Sequence, residues 1–376
     1  MSSEREGSMA PRNQDDEGTL TSPPLPNLPF DLIAEILCML PVKLLQQLRC
    51  LCSSFNSLIS DPKFVKKHLH LSTMLLRRYH LILGDVDSRE FFTYHSPITS
   101  FLSDSTLKQT QISYPPVTNQ RYGPRPPFWV CSCDGILCFT TALGSALLWN
   151  PSIRTFKLLP TLKPLPRRAP LTSYSFGYDH FIDNYKVICI TCNQVSVYTF
   201  GTNYWRRIND FPYSGIILGC GVFLSGTVNW LPHAWSSSLL AIYSLDLENE
   251  TYQKLSLPDL EEDVWITLGV LKDCLCIYAS SDLFLDVWVM KEYGNKESWN
   301  KLYNVSYMGD QSLHAYTKTL YIYEDDQMLM SFNGMGTNMK LGLYDSKTST
   351  LKIPEIQYIG CCMDPQVYVE SLISPC

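Results

Sequence analysis

The sequence predicts an α+β multidomain chain, a small N-terminal helical bundle followed by an all-β propeller of six blades. Two observations carry this reading. Apolar side chains recur at helical spacing from Leu28 to Leu69, and from Tyr79 onward they fall instead into short runs bounded by turns. Those runs repeat, with intervals of 49, 47, 47 and 52 residues between equivalent positions. The 376-residue composition is compatible: 45% hydrophobic, enough for a large core, and 12% aromatic, which favours strands.

Residues 1–24 are polar and acidic, contain Ser, Gly and Pro, and lack an apolar h-region. They are expected to form a disordered tail and not a signal peptide. The helical stretch, residues 25–70, begins with Leu28, Leu32, Ile33, Ile36, Leu37 and Leu40, spaced to make one helix face apolar. Pro29 suits the first helical position, and Asp31 sets a negative charge against the positive helix end. Pro41 stops this helix and Val42–Arg49 starts a second. Leu51, Phe55, Leu58 and Ile59 mark a third, and Asp61-Pro62 supplies an N-cap and N1 proline for a fourth through Leu69. About forty residues are too few for a self-sufficient core, so the bundle needs a surface to pack against.

That order of residues resembles the F-box, the helical module that docks a chain onto the Skp-type adaptor of cullin–RING ubiquitin ligases. The match runs through Leu28-Pro29, Asp31-Leu32-Ile33, Glu35-Ile36-Leu37, Leu40-Pro41-Val42-Lys43, Leu45, Arg49-Cys50, Asn56-Ser57-Leu58-Ile59 and Asp61-Pro62-Lys63-Phe64. Gln47, Ser53 and Phe55 depart from the Arg, Lys and Trp usual in plant members. The resemblance implies adaptor contacts at Leu28, Pro29, Leu32, Ile33, Ile36, Leu37, Leu40, Pro41, Val42, Lys43, Leu45 and Leu48. Residues 41–80 also hold seven Lys/Arg against one acid, whereas the chain as a whole carries a net charge of −6.

In the repeats, equivalent late-strand positions are Phe156, Trp205, Tyr252, Trp299 and Leu351, and one further step back lands on Leu107. Each unit carries an earlier pair of strands, such as Asp134–Phe139 with Ala146–Trp149, or Gly226–Leu231 with Ala241–Leu245. A period in the forties to fifties with four strands per unit is a propeller signature. Six blades over residues 79–376 follow. Closure requires a last strand to join the first blade, and Val367–Ile373 is the candidate, pairing near His80–Leu83. Leu148-Trp149-Asn150-Pro151-Ser152, Phe176-Gly177-Tyr178-Asp179, Asp183-Asn184-Tyr185-Lys186-Val187 and Asp286-Val287-Trp288-Val289 resemble the plant F-box-associated, kelch-like region. The resemblance implies a substrate-recognition subunit of a Skp–cullin–F-box ligase whose propeller holds a target protein for ubiquitination. A propeller that binds a protein or glycan beside a vestigial F-box is the alternative.

No catalytic residue is expected. The acidic runs Glu261-Glu262-Asp263 and Glu324-Asp325-Asp326 read as solvated loops, and no nucleophile elbow, phosphate-binding Gly loop or zinc-protease motif occurs. Cys189 and Cys192 have a C-x-x-C spacing, but three residues apart on a strand point to opposite faces, so neither metal nor cofactor is expected. Fourteen cysteines without an export signal imply reduced thiols in the cytosol or nucleus. Net acidity argues against nucleic acid as a partner. Residues 212–245 lack charge, yet their glycines, prolines and serines break any spanning helix, so no membrane partner is expected. Target contacts are expected on the rim shared by the interblade connections and the loops between second and third strands. The candidates there are Arg167, Arg168, Tyr213, His233, Trp235 and Trp265.

Overall fold

A computed structural model describes residues 29–87, 90–103, 106–107, 109–115, 130–141, 145–162, 172–215, 217, 219–232, 240–261, 264–281, 283–306, 316–333, 339–356 and 361–376. The helical stretch forms α1 (Phe30–Cys38), α2 (Val42–Arg49), α3 (Ser53–Ser60) and α4 (Pro62–Thr73). Pro29 is the N-cap of α1 and not its first helical residue, and its carbonyl accepts from the Leu32 and Ile33 amides. Pro41 does the same for α2 through Leu44 and Leu45. Asp61 caps α4 with its carboxylate, which accepts from the Lys63 and Phe64 amides at 2.8 and 3.2 Å.

The β region is six four-stranded antiparallel sheets arranged in a ring. Blade 1 combines Cys361–Val369, Tyr79–Asp87, Glu90–Pro97 and Thr110–Ile112, from channel to periphery. Blades 2 to 6 start on the inner strands Val130–Cys133, Ser173–Asp179, Val222–Leu224, Trp265–Leu271 and Tyr316–Ile322. Each inner strand touches the next around the ring, and Cys361–Val369 touches both Val130–Cys133 and Tyr316–Ile322. The middle strands of a blade lie between two neighbouring blades, so Ile136–Thr140 and Ala146–Asn150 are buried at every residue, the pattern of strands covered on both faces.

Closure occurs where expected, with a different extent. The closing strand is Cys361–Val369, and its register pairs His80 with Tyr368 and Leu81 with Val367. Beyond Val369 the chain leaves the sheet. Met363 and Tyr368 pack among Val130, Leu137, Phe139 and Trp149 of blade 2, and Leu81 and Leu83 pack with Leu329 and Leu341 of blade 6. Blade 1 is thereby wedged between its neighbours. Gly135 serves the closure too. It adopts φ +79 in the turn after the blade 2 inner strand, and a Cβ there would stand 2.4 Å from the Val369 carbonyl.

Five of the six repeat positions lie on outermost strands: Phe156, Trp205, Tyr252, Trp299 and Leu351. Three of them act as hooks to the preceding blade. Trp205 donates to the Pro160 carbonyl at 2.7 Å, Tyr252 to Asn209 at 3.1 Å and Trp299 to Ser256 at 2.9 Å, each acceptor lying on the connection that enters the blade. Leu107 departs from the set. It lies on Thr106–Leu107, which pairs in parallel with Glu355–Ile356, while the outer strand of blade 1 follows at Thr110–Ile112. The short helix Ser100–Ser103, with Phe101 buried, lengthens that connection, so a constant step lands early.

A chain ending at Tyr358 lacks the closing strand and leaves the Tyr79–Asp87 edge open. It is expected to melt well below the full chain in a thermal scan followed by circular dichroism. Equal melting temperatures would show that the ring does not need this strand.

Candidate binding faces and the joint between them

The helical module leaves an apolar face uncovered. Leu32 and Ile36 on α1 are 50% and 53% exposed, and Phe30, Met39 and Leu44 flank them. Leu51, at 70%, follows α2 instead of entering α3, and with Leu40, Leu44, Gln47 and Leu48 it lines a cleft of about 310 Å³. Of the residues expected to meet an adaptor, Pro29, Leu32, Ile36, Pro41 and Lys43 are exposed, and Ile33, Leu40 and Leu48 are half-buried. Leu37, Val42 and Leu45 are buried in the module's own core with Ile59 and Phe64, so internal packing occupies these three. Leu28 lies outside the described residues. Phe30, Met39, Leu44 and Leu51 were not anticipated. Reading every apolar residue as core hides those that a helical wheel directs outward.

A second face is the mouth of the central channel, a cavity of about 1870 Å³. Trp265, the first residue of the blade 5 inner strand, is exposed at this mouth beside Leu231, Leu240, Leu257, Leu260 and Val264. Lys296 and Asp259 pair at 3.1 Å on its edge, and Lys318 of blade 6 meets Asp364 of the closing strand at 3.5 Å inside. Tyr213 is half-buried and folds against Tyr243, with ring centroids 5.7 Å apart. Arg167, Arg168, His233 and Trp235 lie outside the described residues. Trp265 stands where inner strands begin, and the helical module joins at Tyr79, opposite Val369, where the closing inner strand ends. The module is therefore attached at the rim opposite the mouth at Trp265.

Among the described residues, no group of three or more His, Cys, Asp or Glu side chains is placed to hold a metal, and no helix is long and apolar enough to cross a membrane. Cys189 is buried in its strand, whereas Cys192 occupies an exposed turn at φ +48, so the C-x-x-C pair does not converge.

Between module and propeller lies a buried polar joint centred on Glu370. Its carboxylate accepts from the Val42 amide at the start of α2 (3.3 Å), pairs with Arg78 (3.3 Å) and meets His80 Nε2 (3.2 Å). Arg78, 2% exposed, donates its other nitrogen to the Met39 carbonyl at 2.8 Å. His68 Nε2–H donates to the Leu40 carbonyl at 3.0 Å, and burial holds this imidazole below its usual pKa although that bond favours the protonated ring. Burial alone would raise the Glu370 pKa. The hydrogen bond and charge of His80, the Val42 amide and the Arg78 guanidinium outweigh it and hold the carboxyl below its ordinary value. Beside this joint, Leu372 and Ile153 complete the apolar core of the module, and the Asn150 amide holds Ser371 and Ile373 through their carbonyls at 3.0 and 2.8 Å.

Compared with known families, residues 92–375 match the F-box associated beta propeller domain. The chain belongs to that family. Residues 25–67 match the F-box domain. The F-box/kelch-repeat protein At3g23880 of Arabidopsis thaliana is 29% identical over 367 residues, covering 93% of this chain and 96% of its own. The Arabidopsis F-box protein CPR1 is 27% identical over 395 residues, covering 93% and 89%. An F-box joined to an F-box-associated propeller is the domain pairing of a substrate receptor.

The depressed Glu370 pKa gives a signed expectation. An unfolded glutamate takes up its proton near pH 4.5, before the folded one does. The stabilisation from Glu370 is therefore complete above that pH and lost as pH falls through the folded-state pKa. The stability difference between wild type and Glu370→Gln, measured by urea unfolding, is expected to be largest at pH 7 and to shrink toward pH 3. A gap that does not vary with pH would remove Glu370 as the cause.

Proposed function

We propose that this chain is the substrate-recognition subunit of a Skp–cullin–F-box ubiquitin ligase. The F-box binds the Skp-type adaptor through the exposed face of α1 and the Leu40–Leu51 cleft. The propeller holds a target protein at the opposite rim. The observation that carries the reading is the uncovered apolar face on a module whose own core is already completed by Leu372 and Ile153. An apolar patch left open beside a completed core is suited to a partner. The ligase's conjugating enzyme supplies the chemistry. This chain contributes proximity, since holding target lysines near a charged thioester turns a bimolecular encounter into an effectively intramolecular one. No side chain of this protein acts as acid, base or nucleophile in that scheme. Twelve of the fourteen cysteines have described side chains, and these carry free thiols, which suits a reducing compartment, the cytosol or nucleus.

For the adaptor face, Pro29, Leu32, Ile33, Ile36, Leu40, Pro41, Lys43 and Leu48 are the contacts, extended by Phe30, Leu44 and Leu51. A covered Leu or Ile contributes roughly 1.5–3 kcal/mol. Ile36→Glu with Leu51→Glu should therefore weaken adaptor capture by about 100-fold or more while the melting temperature stays near wild type. Adaptor retention by a folded double variant in a pull-down would end this assignment.

For the target face, Arg167, Arg168, Tyr213, His233, Trp235 and Trp265 are the contacts. Ubiquitinated proteins that accumulate under proteasome inhibition with the full chain, but not with an F-box deletion, identify the target. Trp265→Ala and Arg168→Ala are then expected to reduce its capture with adaptor binding intact. Unchanged capture in both would move the site to the other rim.

A further inference from the structure

We propose that Glu370–Leu372 is a latch that makes the adaptor-binding conformation of the F-box conditional on closure of the propeller. The inference rests on the adaptor reading above and concerns how that docking state is maintained.

The geometry is specific. The closing strand ends at Val369, and the next residue reaches across to the F-box. The Glu370 amide donates to the Arg78 carbonyl at 2.8 Å, which fixes the backbone at the hinge between α4 and blade 1. Its carboxylate then takes the Val42 amide, one of the orphan donors at the start of α2. Arg78, paired with that carboxylate, takes the Met39 carbonyl from the last turn of α1. One ion pair thus satisfies the facing ends of the two helices that carry the uncovered apolar face. Two residues later Leu372, 8% exposed, enters the F-box core among Leu37, Val42, Leu45 and Ile59.

The energetic consequence follows from size. A four-helix module of about forty residues has little stability of its own, so apolar contacts and caps supplied from outside decide whether α1 and α2 stay in place. Those contacts arrive only when Cys361–Val369 is paired with Tyr79–Asp87, because this pairing positions the residues that follow it. When the strand is unpaired, Arg78 is left as a buried cation without its carboxylate, a strongly unfavourable state. The competent fraction of the F-box then falls, and apparent adaptor affinity falls in proportion. Linkage requires the converse as well, so adaptor binding must tighten the closing strand.

The test uses the full chain and recombinant Skp-type adaptor. Hydrogen exchange on wild type, with and without saturating adaptor, is expected to show slower exchange at the Cys361–Val369 amides, none of which belongs to a proposed adaptor contact. No change there overturns the latch without needing any variant. In the absence of adaptor, Glu370→Gln and, separately, Leu372→Ala are expected to speed exchange in α1 and α2 while blades 3 to 5 keep wild-type protection. Calorimetric titration is expected to give adaptor affinity weakened by about ten-fold in each variant, within the usual range of intramolecular coupling. Wild-type exchange in α1 and α2 together with wild-type affinity would overturn the proposal. Should wild type itself bind no adaptor, the functional reading fails, and the exchange rates of the adaptor-free variants still decide whether the latch exists.

Discussion

The pairing of Tyr79–Asp87 with Cys361–Val369 is the constraint on which the remainder of this molecule depends. A linear array of blades exposes an open sheet edge at each end, with unpaired amides and carbonyls available for illicit pairing. Here the two ends satisfy each other, and the resulting sheet is wedged between blades 2 and 6 by Met363, Tyr368, Leu81 and Leu83. Because the closing strand is also the innermost of its blade, it completes the channel wall as well as the ring. Asp364 to Val367 line the cavity, and the residues just past the strand's end reach the F-box helices.

The joint between the domains is charged where an apolar contact would have been simpler. Burying Arg78 and Glu370 together is not inherently favourable, since desolvation offsets much of their attraction. Its physical value lies in direction. An apolar seam tolerates sliding, whereas a guanidinium shared between a carboxylate and the Met39 carbonyl fixes orientation. In the receptor role proposed above, the angle at this joint would set the distance between adaptor and target.

Much of the fold was legible in the sequence because repetition and amphipathic spacing are strong signals. The recurring aromatics Trp205, Tyr252 and Trp299 mark outer strands, and the structure supplies the reason: each hydrogen-bonds the connection entering its blade. Leu107 misled, since a constant period cannot register an inserted helix. The helix start at Asp61 was readable from capping chemistry and the break at Pro41 from its ring, whereas Pro29 was misplaced by one residue. The faces were less legible. Apolar spacing reveals that Leu32 and Leu37 share a helix but not which one meets solvent, because this depends on where the propeller sits. Glu370 carried no local signal at all. Its partners Val42 and Arg78 are 328 and 292 residues away in the chain.

That separation has a consequence for how the protein is made. On the ribosome the F-box emerges first, yet Leu372, part of its core, follows about three hundred residues after α4. At typical elongation rates the delay is about 15–60 s, far longer than a helical bundle takes to form or unravel. Through that interval the nascent module carries both its outward apolar face and an unfilled core seat. Until Leu372 arrives, the open seat and the outward face together make the nascent module prone to unwanted association.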